Sequence, residues 1–138
     1  MLKVVFDTVV FVRSLINPYS RYGQIVFKYH KYFRLFVSKQ VIIEILEVLK
    51  RPELTKKFSS IEKMDMREAI KIISQAEIVE VGEFPKASRD PKDNKFIDAA
   101  IVSSADYLVS EDNDLLVLKE YQGIKIVNCE QFLLVLKA

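Results

Sequence analysis

The chain has 138 residues, half of them apolar, and a net charge of +2, which suits a single domain over residues 1–138 with a sizeable core and sets no strongly basic or acidic partner by charge alone. No apolar run approaches the roughly 18 residues of a membrane span, since Val9-Val10-Phe11-Val12 is cut by Arg13, and Asp7 breaks the apolar core that a signal peptide would need. A lone cysteine, Cys129, rules out an intrachain disulfide and a thiol zinc cluster, so the expectation is a cytoplasmic protein with no membrane partner.

Leu2 to Phe6 reads as a short buried strand ending at Asp7. Asn17-Pro18-Tyr19-Ser20 is a turn signal, after which Ile25, Val26, Tyr29, Tyr32 and Phe33 recur at helical spacing. Leu35-Phe36-Val37 reads as a second strand. Ser38 is placed to cap a helix whose apolar face is Ile42, Ile45, Leu46 and Leu49, with Lys50 and Arg51 at its end and Pro52 as its stop. Ile61 to Ala76 carries another helical pattern, Glu77 to Val81 a strand, and residues 86–91 a polar loop. The spacing then predicts a helix from about Asp93 to Ser104, a strand over Tyr107-Leu108-Val109-Ser110, and a short helix from Asp114 to Tyr121 closed near Gly123. A strand over Ile124 to Val127 and a helix over Glu130 to Lys137 complete the order. Alternating strands and helices argue an α/β fold, a central, mostly parallel sheet flanked by helices. In such sheets ligands bind at the carboxyl ends of the strands.

Acids sit where that rule matters. Asp7 ends the first strand and Asp112 follows the strand at Leu108. Glu44 lies beside an apolar helical stripe, between Val41 and Val48. Asp93 is three and four residues before Phe96 and Ile97, hence on the buried face of its helix at its start, whereas Asp98 is turned from it by roughly 140°. Each acid alone has a plainer reading as a helix cap or half of a surface ion pair. Carboxylates gathered at one sheet end would instead repel one another without a compensating charge, and hard Mg²⁺ or Mn²⁺ suits an all-oxygen site. The only histidine, His30, lies among Tyr29, Lys31 and Tyr32, away from these acids, and reads as structural or surface. No Ser-His-Asp or Cys-His triad and no glycine-rich phosphate loop is present.

Val4-Val5-Phe6-Asp7-Thr8 resembles the opening motif of the PIN domain, and Glu44 in its apolar helix matches that family's second acid. Asp90-Pro91-Lys92-Asp93-Asn94 is similar to the Asp-Pro-x-Asp segment of one PIN branch, described as toxins of toxin–antitoxin pairs, and residues 105–116 resemble that branch's closing motif. The resemblance spans nearly the whole chain. It implies a PIN-like three-layer sandwich and a Mg²⁺- or Mn²⁺-dependent endoribonuclease, with RNA as substrate and, as partners, a cognate antitoxin protein and a second copy of the chain in a homo-oligomer. Carried over by position, Asp7, Glu44, Asp93 and Asp112 are the metal and catalytic acids, and Asn94, Ser110 and Asp114 support them. Arg13, Arg21, Lys39, Arg89, Lys92 and Lys95 are candidates for contacting RNA phosphates. The family commonly carries Asn two places after its first acid; here that position is Val9. The same valine argues against a haloacid-dehalogenase-type phosphatase, which usually has a second Asp there. Phe6 and Thr8 leave Asp7 without the adjacent acid of a receiver domain. A PIN-fold module that binds RNA or a protein without cleaving is the remaining alternative.

Overall fold

A computed structural model of the chain describes residues 1–49, 51, 71, 73–81 and 94–138. Strand β1 (Leu2–Phe6) is central, and Val4, Val5 and Phe6 are each at most 1% exposed. A strand buried on both faces needs a continuous apolar run, as this one has. Among the described residues, five parallel-paired strands and one antiparallel edge strand form the expected α/β sheet, in the order β3-β2-β1-β4-β6-β5. The others are β2 (Phe33–Ser38), β3 (Glu77–Val79), β4 (Tyr107–Val109), β5 (Glu120–Tyr121) and β6 (Ile124–Val127). Alternation along β1 sends Phe6 to one face, where its ring meets Phe11, Phe33 and Phe132 at 5.4, 5.6 and 6.3 Å. Helix α4 (Asn94–Ser103) packs against β1, β2 and β4.

Several elements depart from the sequence reading. Residues 8–16, left without an element, form helix α1 (Thr8–Ile16). Its β-branched opening favours a strand, but the Asp7 carboxylate caps it by accepting from Val10 N at 3.0 Å, and burial of Val10, Phe11 and Leu15 overrides propensity. The expected helix through Ile25 to Phe33 is broken into α2 (Arg21–Gly23), a π-helical turn over Gln24–Lys28 and a 3₁₀ turn over His30–Tyr32, and Phe33 already belongs to β2. Gly23 permits this path, because a Cβ there would collide with the Pro18 carbonyl.

Helix α3 (Lys39–Leu49) starts as expected, with Ser38 Oγ accepting from Val41 N at 3.2 Å. Of the expected face, Ile45 is buried and Ile42 and Leu49 pack against the core, but Leu46 is 53% exposed and Val41 is buried in its stead. The expected helix from Asp114 to Tyr121 is one turn only, α5 (Asn113–Leu116). Lys119 adopts φ 59°, ending the helical path, and β5 then turns back on β6 through Gln122 and Gly123 at φ 50° and 84°. Helix α6 (Cys129–Lys137) starts one residue earlier than expected, because Asn128 caps it in a reciprocal box with Gln131. The Pro52 stop, most of the helix expected from Ile61 and the loop over 86–91 lie outside the described residues, though residues 73–75 are helical. No helix among the described residues is long and apolar enough to cross a membrane.

Candidate active site

The chain leaves β1 to build β2 and β3 on one side, then β4 and β6 on the other. The strand order therefore reverses between β1 and β4, and the cleft at their carboxyl ends is where an open α/β sheet places a ligand. Phe6 pairs with Val109 in that register. The next residues, Asp7 and Ser110, consequently meet at the switch point.

Asp7 is 3% exposed. Its backbone N–H donates to Val109 O at 3.0 Å, holding the strand end in place. One carboxylate oxygen caps α1 through Val10 N; the other accepts from Ser110 Oγ at 2.6 Å and from Glu111 N at 3.2 Å. Burial pushes this carboxyl above its ordinary value, and the Glu111 charge adds to the rise, while the bonds from Ser110, Val10 and Glu111 oppose it.

Ser110 has no solvent exposure. While donating to Asp7, its hydroxyl accepts from Asp112 N at 3.0 Å, so one oxygen ties two candidate acids together. The half-buried Asp112 caps α5 by accepting from Asp114 N at 2.8 Å. On the other side Thr8 Oγ1 donates to Glu44 Oε2 at 2.9 Å. The same Glu44 oxygen meets Lys95 Nζ at 2.8 Å, both side chains being partly buried.

Asp7, Glu44 and Asp112 are thus joined through Thr8 and Ser110 at one end of the sheet. Asp93, Arg89 and Lys92 lie outside the described residues. Asn94 is buried at the first residue of α4, and Asp114 is half-buried in the first turn of α5. Asp98 is half-buried. The described candidates for phosphate contact, Arg13, Arg21, Lys39 and Lys95, are engaged within the chain. Arg13 donates to Tyr22 Oη at 2.6 Å, Lys39 lies 3.5 Å from Glu80, Arg21 pairs with Glu130 and Lys95 with Glu44.

The donors are all oxygen, the chemistry that hard divalent ions prefer, and a cation beside Asp7 would offset its cost of burial. Among the described residues, however, no three His, Cys, Asp or Glu side chains are grouped closely enough to hold a metal ion. Asp7, Glu44 and Asp112 suit such an ion in kind and do not by themselves form its shell.

Sequence reasoning missed the parts played by Thr8 and Glu111. Thr8 carried a signal, a hydroxyl directly after the strand-end acid. Glu111 carried none: its Oε1 accepts from Cys129 N at 3.2 Å, a contact made by the approach of α6.

The PIN-domain family profile matches residues 3–114. No curated protein matches the sequence. Among solved structures, PAE2754 from Pyrobaculum aerophilum is similar with a TM-score of 0.57 and 16% identity, over 99% of this chain and 90% of that one. VapBC2 from Rickettsia felis, bound to a DNA fragment from its promoter, gives a TM-score of 0.57 and 15% identity, over 92% of this chain and 98% of that one. At these identities the two structures support a common fold.

Proposed function

The chain belongs to the PIN-domain family, and from that premise we propose that it is a Mg²⁺- or Mn²⁺-dependent endoribonuclease, the toxin of a toxin–antitoxin pair. The observation that carries the reading is the buried Asp7 at the switch point, its carboxylate held by Ser110 and Ser110 in turn held to Asp112. Asp7, Glu44, Asp93 and Asp112 would hold the ion, with Asn94, Ser110 and Asp114 behind them. A divalent ion there supplies acidification of a water and positive charge against the phosphate. The chain's residues do the remainder. Ser110 and Val10 orient the Asp7 oxygens, Thr8 orients Glu44, and an unprotonated carboxylate accepts the proton released when water attacks. Arg13, Lys39, Arg89, Lys92 and Lys95 would contact RNA phosphates; for Lys95 this requires release from Glu44. The VapBC2 likeness supports an antitoxin protein as partner, and a homo-oligomer is proposed with it.

A second reading, a PIN-fold module that binds RNA or protein without cutting it, is favoured by one observation: Lys95 already neutralises Glu44. Incubating the chain and its Asp7→Asn variant with single-stranded and structured RNA, in Mg²⁺, Mn²⁺ or EDTA, separates the two. Cleavage that needs metal and is lost in the variant supports the nuclease. RNA left intact by the native chain under every condition, with the fold retained, assigns the binding module.

A further inference from the structure

The amino-terminal end of the sheet carries a feature that the carboxylate site does not use. Residues 28–32 read Lys-Tyr-His-Lys-Tyr and lead directly into β2. Because β1 and β2 are parallel, this turn sits at the opposite end of the sheet from Asp7. A five-residue strand at about 3.3 Å per residue puts the two roughly 16 Å apart.

A cavity of about 590 Å³ opens there, and the described residues that line it, Phe27, Lys28, His30, Lys31, Tyr32, Lys71 and Gln75, include no acid. Lys28, Lys31 and Lys71 are exposed, and among the described residues none of them has an ion-pair partner. This contrasts with Arg13, Lys39 and Lys95, each engaged by a phenol or a carboxylate. His30 lines the same cavity, and its Nδ1 is buried with no hydrogen-bond partner among the described residues. Tyr32 is 65% exposed, and its ring lies 6.1 Å from that of Tyr29, itself under the Lys28 ammonium at 5.3 Å.

We propose that this lysine-lined, tyrosine-edged cavity is a second site, one that binds single-stranded nucleic acid. Three ammonium groups with no carboxylate partner among the described residues, on two separate segments, follow a chain of phosphates better than they enclose a single ion. An exposed tyrosine offers the stacking face that sequence-tolerant single-strand binders combine with such charge. A duplex keeps its bases stacked on one another and gains nothing from that ring. The site stands on its own residues and holds whether or not the carboxylate end cleaves RNA. If it does cleave, this site grips the strand about 16 Å from the cut.

The test is fluorescence anisotropy of the full chain with a labelled oligouridylate, in EDTA, across a series of salt concentrations. Simultaneous Lys28→Gln, Lys31→Gln and Lys71→Gln exchange removes three phosphate contacts. It should flatten the slope of log affinity against log salt by about 2 and weaken binding about 100-fold at 0.1 M salt. Tyr32→Ala should weaken it about 10-fold by loss of one stacked base. Because binding is read in EDTA, where metal-dependent cleavage cannot run, failure of this site is distinct from failure of the nuclease reading. Lys28, Lys31, Lys71 and Tyr32 are all exposed, and unchanged melting confirms that their variants fold. An unaltered slope in the triple variant overturns the proposal. So does complete displacement by millimolar inorganic phosphate, which would assign a simple anion site, or duplex RNA binding equally tightly with Tyr32→Ala silent, which would assign a plain polyanion surface.

Discussion

Replacing Ser110 by alanine removes one oxygen from a fully buried position and two hydrogen bonds with it. The bond to the Asp7 carboxylate is short, 2.6 Å, and buried; bonds to charged groups contribute about 1.5–3 kcal/mol. The Asp112 N–H, part-buried, loses its acceptor, which costs about 1 kcal/mol more. Cavity formation adds little, because alanine lacks only the hydroxyl. The expected loss is therefore about 2.5–4 kcal/mol. With an unfolding entropy near 2.1 cal/mol/K per residue over 138 residues, this lowers Tm by about 9–14 °C. The loss should also depend on pH. The hydroxyl stabilises the ionised Asp7 carboxylate, so the difference between native and variant is largest when Asp7 is charged. It shrinks as pH falls through the raised Asp7 value. Denaturant unfolding over a series of pH values reads both effects, and Ser110→Thr, which keeps a donor, should recover most of the loss. A deficit under about 0.5 kcal/mol, or one that grows as pH falls, would refute the view that Ser110 holds the Asp7 charge.

In the metal-free chain, the raised Asp7 value means that the fold prefers the protonated carboxyl. The stability this contributes is present below the unfolded value, 3.8, and is lost as pH rises through the folded one. Asp7→Asn keeps an N-cap acceptor for Val10 and removes the buried charge, so at pH 7 in EDTA it should melt no lower than the native chain, and it should lack the Tm rise that millimolar Mg²⁺ or Mn²⁺ gives the native protein; an unchanged metal response would exclude Asp7 as a ligand. Val9 is 42% exposed, so Val9→Asn should shift Tm by less than about 3 °C. If an amide at position 9 supports the acids, metal affinity or RNA cleavage should rise about 10–100-fold, and no change in either would detach that position from the site. Burial pushes the Cys129 thiol up to about 12, and iodoacetamide at pH 8 should label it only after denaturation; labelling of the native chain within minutes would contradict its packing.

The order of strands and helices was legible in the sequence because periodicity reports how each segment meets the core, and the apolar run Leu2–Phe6 allows little else than a strand buried on both faces. The strand-end positions of Asp7 and Asp112 followed from the same pattern. Local pattern gave no element at residues 8–16, where β-branched residues oppose the helix made by the Asp7 cap and burial of Phe11. It was misleading at Glu120–Tyr121, where positive φ at Lys119 and pairing with β6 turned the chain into a hairpin. The contacts that shape the candidate site belong to the tertiary structure alone. Thr8 meets Glu44, Lys95 meets Glu44, and Ser110 meets Asp7 across long stretches of chain. Periodicity records which face of an element is buried, whereas the partner of a polar group on that face depends on which other element arrives there and at what height. That was decided when β4 paired beside β1 and α4 packed across them, bringing a serine to a buried carboxylate and a lysine to a glutamate.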